Sequence, residues 1–229
     1  MRGLPPIMPS ASRVPLLPDE ERRAVDRVMT QRVFADGEAL INHEDDDRSV
    51  FLLLEGAARV VIYADDGKLI EFHEAGPGEM FGELAAIDGA PRSASVVAKG
   101  EVRAGVITQR DFEALLRERP GFAVAMLRHL AGQVRRLLER VTEFSTLLVR
   151  QRLIRELMRI AEAHAGQGDA ATILRTPTHF DLAARISTHR EAVSREMSVL
   201  AKRGLVQRKG RSLTIPSLAR LAAALDEDD

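Results

Sequence analysis

"TPTHFDLAARISTHREAVSREMSVLAKRGLVQRKGRSLTI", residues 176–215, holds two helix starts in close succession. Thr178 and Asp181 have the T-x-x-D spacing of a capping box, in which hydroxyl and carboxylate each accept from a leading backbone amide. Thr188 and Glu191 repeat the pattern as T-x-x-E. Starts so near each other leave room for one short helix, 179–186, and a tight turn at Ser187–Thr188, which is helix-turn-helix spacing. In the second helix Val193, Met197 and Leu200 fall at i, i+4, i+7 and point inward. Arg190, Glu191, Ser194 and Arg195 are left on the opposite face near the N-terminal end, with Thr188 just before them. A helix entering the major groove reads base edges from these positions: Arg donates twice to guanine, and Glu accepts from cytosine. After Gly204, "LVQRKGRSLTI" reads as a two-stranded hairpin, a wing, whose Arg208, Lys209 and Arg211 face phosphates. A small helical domain with a solvated basic face is the plainer alternative. Two caps, two sorted faces and a wing together favour double-stranded DNA as partner.

Charge along the chain agrees. The net charge is −1, yet residues 176–215 carry eight Lys and Arg against three Asp and Glu, while residues 1–110 carry 13 against 19. A chain of 229 residues, 45% apolar, is read as two modest domains. It has no cysteine, which excludes a disulfide scaffold, a Cys-ligated iron–sulfur cluster and a thiolate zinc site. The six histidines lack metal-ligand spacing, so no metal is expected. No nucleophile motif or G-x-x-x-x-G-K loop is present, so no enzyme is expected. "MRGLPPIMPSASRVPLLP" has no continuous apolar core for a signal peptide, and no later stretch is long enough to span a membrane; a cytoplasmic protein without membrane contact is expected.

Upstream of the basic block the period is helical. Leu127, Leu130, Val134, Leu137, Val141, Phe144 and Leu148 recur at alternating steps of three and four, the seam of a coiled coil, widened by Leu138 and Leu147. A homodimer along this helix is expected. A further helical run, "RQRLIRELMRIAEAHA", follows. Between about 33 and 107 short runs such as "SVFLLLEG", "AARVVIYA", "KLIEFHEA" and "ASVVAKG" are punctuated by glycines, with "DDG" at 65–67 as a hairpin turn. Short strands at this spacing suggest a sandwich or small β-roll and disfavour an open sheet with helical crossovers, so the fold class is α+β. A tail at 1–18, extended or disordered, precedes a jelly-roll-like β-roll at 19–120, a dimerisation helix at 121–148 and a winged helix-turn-helix domain at 149–229.

One stretch of the β-region, "FGELAAIDGAPRSASVVA" at 81–98, sets an acid, Glu83, and a base, Arg92, on turns rich in Gly and Pro. Its F-G-E-L-A followed by P-R-S-A resembles the phosphate-binding cassette of cyclic-nucleotide-binding domains. From about 19 to 218 the order of elements resembles the Crp/Fnr family of bacterial transcription regulators. The resemblance implies that Glu83 binds a ribose 2′-hydroxyl and Arg92 a cyclic phosphate, with Ser93 and the backbone around Gly82, Leu84 and Ala85 completing the cradle. The chemistry agrees: an ionised carboxylate only accepts, and a guanidinium presents several donors to phosphate oxygens. On this reading Arg92 makes no core contact. The resemblance further implies cAMP as effector, with cGMP or no nucleotide as alternatives, RNA polymerase as a partner, and a TGTGA-like half-site read through R-E-x-x-x-R (Arg190, Glu191, Arg195). The chain departs from the pattern in three places. Leu137 and Leu138 stand where the Crp branch carries a Thr-Ser pair contacting adenine. Ser187 replaces a glycine of the helix-turn-helix turn. "INHEDDDRSV" lacks the glycine of the first β-roll turn, and its Asp45, Asp46 and Asp47 are read as a solvated turn.

Overall fold

The computed structural model describes residues 17–63, 69–162 and 168–225. They form two compact units, divided in sequence between Leu137 and Leu138. The first opens with α1 (Asp19–Val28), whose first turn carries Asp19, Glu20 and Glu21 at the end of the helix that favours anions. Then come β1 (Thr30–Phe34), β2 (Ala39–Ile41), β3 (Val50–Tyr63), β4 (Leu69–Ala75), β5 (Met80–Phe81), α2 (Glu83–Asp88), β6 (Ser95–Ile107) and α3 (Gln109–Glu118). Every strand pairing is antiparallel. The long strands β3 and β6 pair with each other, flanked by β1 and β5 toward one end and by β2 and β4 toward the other.

This arrangement corrects the sequence reading of two strands separated at Gly56. The β3–β6 register slips between Leu53, Glu55 and Ala57, and Gly56 sits there at φ 86°. A side chain at Gly56 would run its Cβ into the carbonyl of Glu101. The bulge lets one strand bend and serve both halves of a β-roll. Inside, Phe34, Phe51, Phe81, Val96 and Val102 form one core, with Phe51 stacked on Phe81 at 5.8 Å. A second core joins α1, α3 and the start of α4 (Pro120–Thr146) through Val25, Phe112, Leu115, Phe122 and Met126. Leu17 is buried in this core, so packing begins before the boundary read at residue 18. The rest of that tail, and the turn at 65–67, lie outside the described residues.

The second unit comprises the end of α4, α5 (Val149–Glu162), β7 (Ala171–Ile173), α6 (His179–Arg185), α7 (Arg190–Lys202), β8 (Gln207–Lys209), β9 (Ser212–Ile215) and α8 (Leu218–Ala223). Its core is Leu153, Ile154, Leu157, Leu182, Val193, Leu200, Leu213 and Leu221, all essentially inaccessible to water. Each such side chain contributes about 1.5–3 kcal/mol on burial. Two elements were not anticipated: α8, and β7, which makes the wing part of a three-stranded sheet in the order β7-β9-β8. The helix read as 121–148 also ends early, at Thr146. Leu147 turns into the interior, and the amide of Leu148 donates to Gln151 Oε1 at 3.0 Å, which starts α5 instead of extending α4. Among the described residues no helix is long and apolar enough to cross a membrane.

Candidate anion site and nucleic-acid interface

Helix α2 begins directly after Gly82, which adopts the left-handed conformation at φ 86°. Glycine is required on two grounds, because a Cβ would also lie 2.7 Å from Arg92 Nη1 and 2.9 Å from the Ser49 carbonyl oxygen. Arg92 fills that space. Its side chain is buried, Nη1 donates to Gly82 O at 2.8 Å, and Nη2 donates to Ser49 O at 2.6 Å and to Asp47 Oδ2 at 3.0 Å. The expectation that Arg92 makes no core contact is thereby corrected: it ties the strand end at Ser49 to the turn at Gly82. Its Nε is buried and has no partner among the described residues.

Glu83 is equally buried and serves other groups. Its Oε1 accepts from Gln133 Nε2 at 2.8 Å, and His129 Nε2 lies 3.6 Å away. The two nitrogens of Gln133 and His129 are 2.7 Å apart; an amide nitrogen only donates, so His129 accepts there. Glu83 and Arg92 thus do not neutralise each other. Around them Ala85 is buried, Leu84 is 40% exposed and Ser93 is exposed.

Three contributors escaped the sequence reading. His129 and Gln133 sit four apart on α4, a spacing that puts them on one face beside the apolar seam, and this was the available signal. Asp47 is exposed, as a solvated turn requires, but also accepts from Arg92. Burial pushes its carboxyl up, but hydrogen bonds from the Ser49 hydroxyl and amide and from Arg92 bring it below the ordinary aspartate value.

Along α4 the seam residues are open. Leu127, Val134, Leu137 and Val141 are 67%, 55%, 49% and 61% exposed, and Leu130 is half-buried. Phe144 lies under the guanidinium groups of Arg140 and Arg152, and Leu148 is exposed in the joint after the helix. Of the seam residues, Leu148 alone lies beyond the end of α4.

In the second unit the capping box at Thr178 forms in full, with the hydroxyl accepting from the Asp181 amide at 3.1 Å and the Asp181 carboxylate from the Thr178 amide at 3.0 Å. The second box does not form. His189 is the N-cap of α7 and makes no side-chain cap; the amide of Thr188 instead donates back to Ala183 O at 2.9 Å and closes the turn. Ser187 takes φ 49°, the conformation a glycine would supply. Arg190, Glu191 and Arg195 are exposed on α7, with Val193, Met197 and Leu200 buried beneath. Arg208 and Lys209 on β8 and Arg211 in the turn are exposed on the wing. Ser194 differs: it is half-buried and bonded at 2.8 Å to His179 Nδ1. Burial, then the charges of Arg208 and Arg190, push the His179 imidazole below its ordinary value. His179 at the start of α6 thus lies near Arg190 of α7 and Arg208 of the wing.

Comparison with known proteins gives matches to both units. The cyclic nucleotide-binding domain family matches residues 31–119, and the Crp-like helix-turn-helix domain family matches residues 151–224. The chain is 30% identical over 189 residues to the transcriptional regulator LdrP of Thermus thermophilus, spanning 82% of this chain and 93% of that one. It is 28% identical over 204 residues to the CRP-like cAMP-activated global transcriptional regulator of Mycobacterium tuberculosis, spanning 89% and 88%. A solved structure of a CRP-family transcriptional regulator from Thermus thermophilus aligns with a TM-score of 0.69 at 25% identity, over 86% of this chain and 97% of that one.

Proposed function

Because the chain belongs to the Crp/Fnr family of transcription regulators, we propose that it is a homodimer whose affinity for a palindromic operator is set by a cyclic nucleotide bound at Glu83 and Arg92. The observation that carries this reading is that the two buried charges of the cassette are not paired with each other. Glu83 and Arg92 are both buried, nine residues apart in sequence, without bonding each other, and Arg92 Nε has no partner among the described residues. Buried charge is unfavourable unless something compensates it, and a ribose hydroxyl with a phosphodiester would supply both complements. Gly82, lacking a Cβ, leaves room for the guanidinium against the turn.

The exposed apolar stripe from Leu127 to Val141 supports the dimer. A second copy of the same helix covers it, as an isologous interface does. Gln133 and His129 would make α4 sensitive to the ligand, since a ribose hydroxyl reaching Glu83 shares or displaces the amide that now holds it. The effector then acts by differential affinity for two states of the dimer; a coupling of about 1–3 kcal/mol corresponds to roughly a 5- to 150-fold change in operator affinity. cAMP is the expected effector, because the Mycobacterium tuberculosis relative is described as cAMP-activated. A TGTGA-like half-site, and RNA polymerase as a further partner, follow from the family alone. The test is fluorescence anisotropy of a labelled palindromic duplex with no nucleotide, with cAMP and with cGMP. Tightening with cAMP above both other conditions supports the reading, and equal binding in all three contradicts nucleotide control.

A further inference from the structure

Asp47 lies between β2 and β3, far in sequence from the cassette, yet both of its carboxylate oxygens are engaged. Oδ1 accepts from the Ser49 hydroxyl at 2.9 Å and the Ser49 amide at 3.2 Å, and Oδ2 accepts from Arg92 Nη2 at 3.0 Å. The backbone of this segment is laced to Arg92 too: the Glu44 amide donates to Arg92 O at 3.0 Å, and the Arg92 amide donates to Asp45 O at 3.2 Å. Glu44 makes the turn at φ 64° without a glycine. The segment therefore holds an anion against the guanidinium.

We propose that Asp47 selects the charge class of the nucleotide that Arg92 accepts, favouring a singly charged cyclic phosphodiester over a doubly charged phosphomonoester. This rests on the reading of the cassette as a nucleotide site. A guanidinium has five N–H donors. Among its three acceptors here, the Gly82 and Ser49 carbonyls are neutral and fixed by the backbone, whereas Asp47 carries a full charge. Its side chain is 51% exposed, so it can turn toward water when a ligand arrives. Its lowered carboxyl keeps it ionised at neutral pH. With Asp47 bonded to Arg92 and Glu83 in the same cassette, the surroundings hold one positive and two negative charges. An incoming monoanion meets that repulsion once. A phosphomonoester carries about −1.5 to −2 at neutral pH and meets it nearly twice over.

The experiment is calorimetric titration of cAMP and 5′-AMP, at a pH where the monoester is fully ionised, into the wild type, Asp47→Asn and Asp46→Asn. The ratio of the two affinities within each protein removes effects common to both ligands. Asp47→Asn is expected to narrow the wild-type preference for cAMP by about two- to fivefold, the size allowed for a partly exposed charge, chiefly through tighter 5′-AMP binding. Asp46→Asn, which removes the same charge from a neighbour not bonded to Arg92, should keep the wild-type ratio. If the wild type binds cAMP and Asp47→Asn leaves the ratio unchanged, Asp47 merely braces its loop and the proposal falls. If Asp46→Asn narrows the ratio equally, general surface charge is responsible and the proposal also falls. Failure of the wild type to bind either nucleotide overturns the cassette reading, and this inference with it. Thermal melts verify that each variant is folded, and Asp47→Ser provides a second removal of the charge should Asp47→Asn be unstable.

Discussion

In the first unit Glu83 and Arg92 are buried and face away from each other toward Gln133, Ser49, Gly82 and Asp47; in the second, Glu143, Glu156 and Arg155 are buried and face one another. There Glu143 accepts from Arg155 at 3.3 Å and from Arg159, while Glu156 accepts from Arg159 at 3.3 Å and from Arg185 at 3.2 Å. That network joins α4, α5 and the end of α6. Arg140 and Arg152 extend it by donating to the carbonyls of Arg185 and Ile186, which lead into the helix-turn-helix turn. Two carboxylates are there shared among three arginines. The difference separates two uses of buried charge: a closed network braces helices, whereas an open pair keeps bonding capacity for something that comes and goes.

The largest effect should come from opening the closed network. Glu143→Ala leaves two arginines without their shared carboxylate and should cost about 3–5 kcal/mol in urea unfolding. Arg92→Ala strands two carbonyls but no opposing buried charge, and should cost about 1–3 kcal/mol. Equal costs would erase the contrast between the units.

The second unit can be divided further. Arg195→Ala should weaken binding to a TGTGA-like duplex by about 1–3 kcal/mol and relax preference at one base pair. Lys209→Ala should weaken specific and scrambled duplexes alike and lower the salt slope by about one counterion. Titrations of both proteins on both duplexes at several salt concentrations compare them, and equal losses everywhere would mean that α7 does not read bases.

A smaller effect is expected at Thr178, whose cap forms in full: Thr178→Ala should cost about 1 kcal/mol. Thr188→Ala should remove no cap, since its hydroxyl makes none, and chemical unfolding of the pair discriminates them.

The smallest concerns pH. His179 is held below its ordinary value of 6.5, by burial first and then by Arg208 and Arg190. The unfolded chain then binds a proton that the folded one resists, so stability rises with pH across the window from the lowered value up to 6.5 and is level above it. His179→Asn should flatten that part of the profile in thermal melts, and an unchanged slope would assign it to another group.

How far the sequence reached depended on whether a feature is local. The Thr178 box and the inward set Val193, Met197 and Leu200 are fixed by residues within a turn or two, and both were legible. Gly56 misled because a glycine marks either a strand end or a bulge, and the choice depends on the approach of Glu101 from a distant strand. The break after Thr146 escaped because no Pro or Gly signals it; the Gln151 side chain makes the new start instead. Within the cassette the motif pointed to Gly82, Glu83 and Arg92, but their partners Asp47, His129 and Gln133 come from the β2–β3 segment and α4. Such pairings are set by tertiary packing and leave no mark in local spacing.

If a cyclic nucleotide completes the open charge of the first unit, its binding must depend on Arg92. Calorimetric titration of cAMP into the wild type and into Arg92→Ala, each shown by its melt to be folded, tests this most directly. Saturable binding to the wild type, lost or weakened by at least about tenfold when the charge-assisted fork is removed, is the predicted result. Equal affinity in the two proteins, or no binding to the wild type, would contradict it.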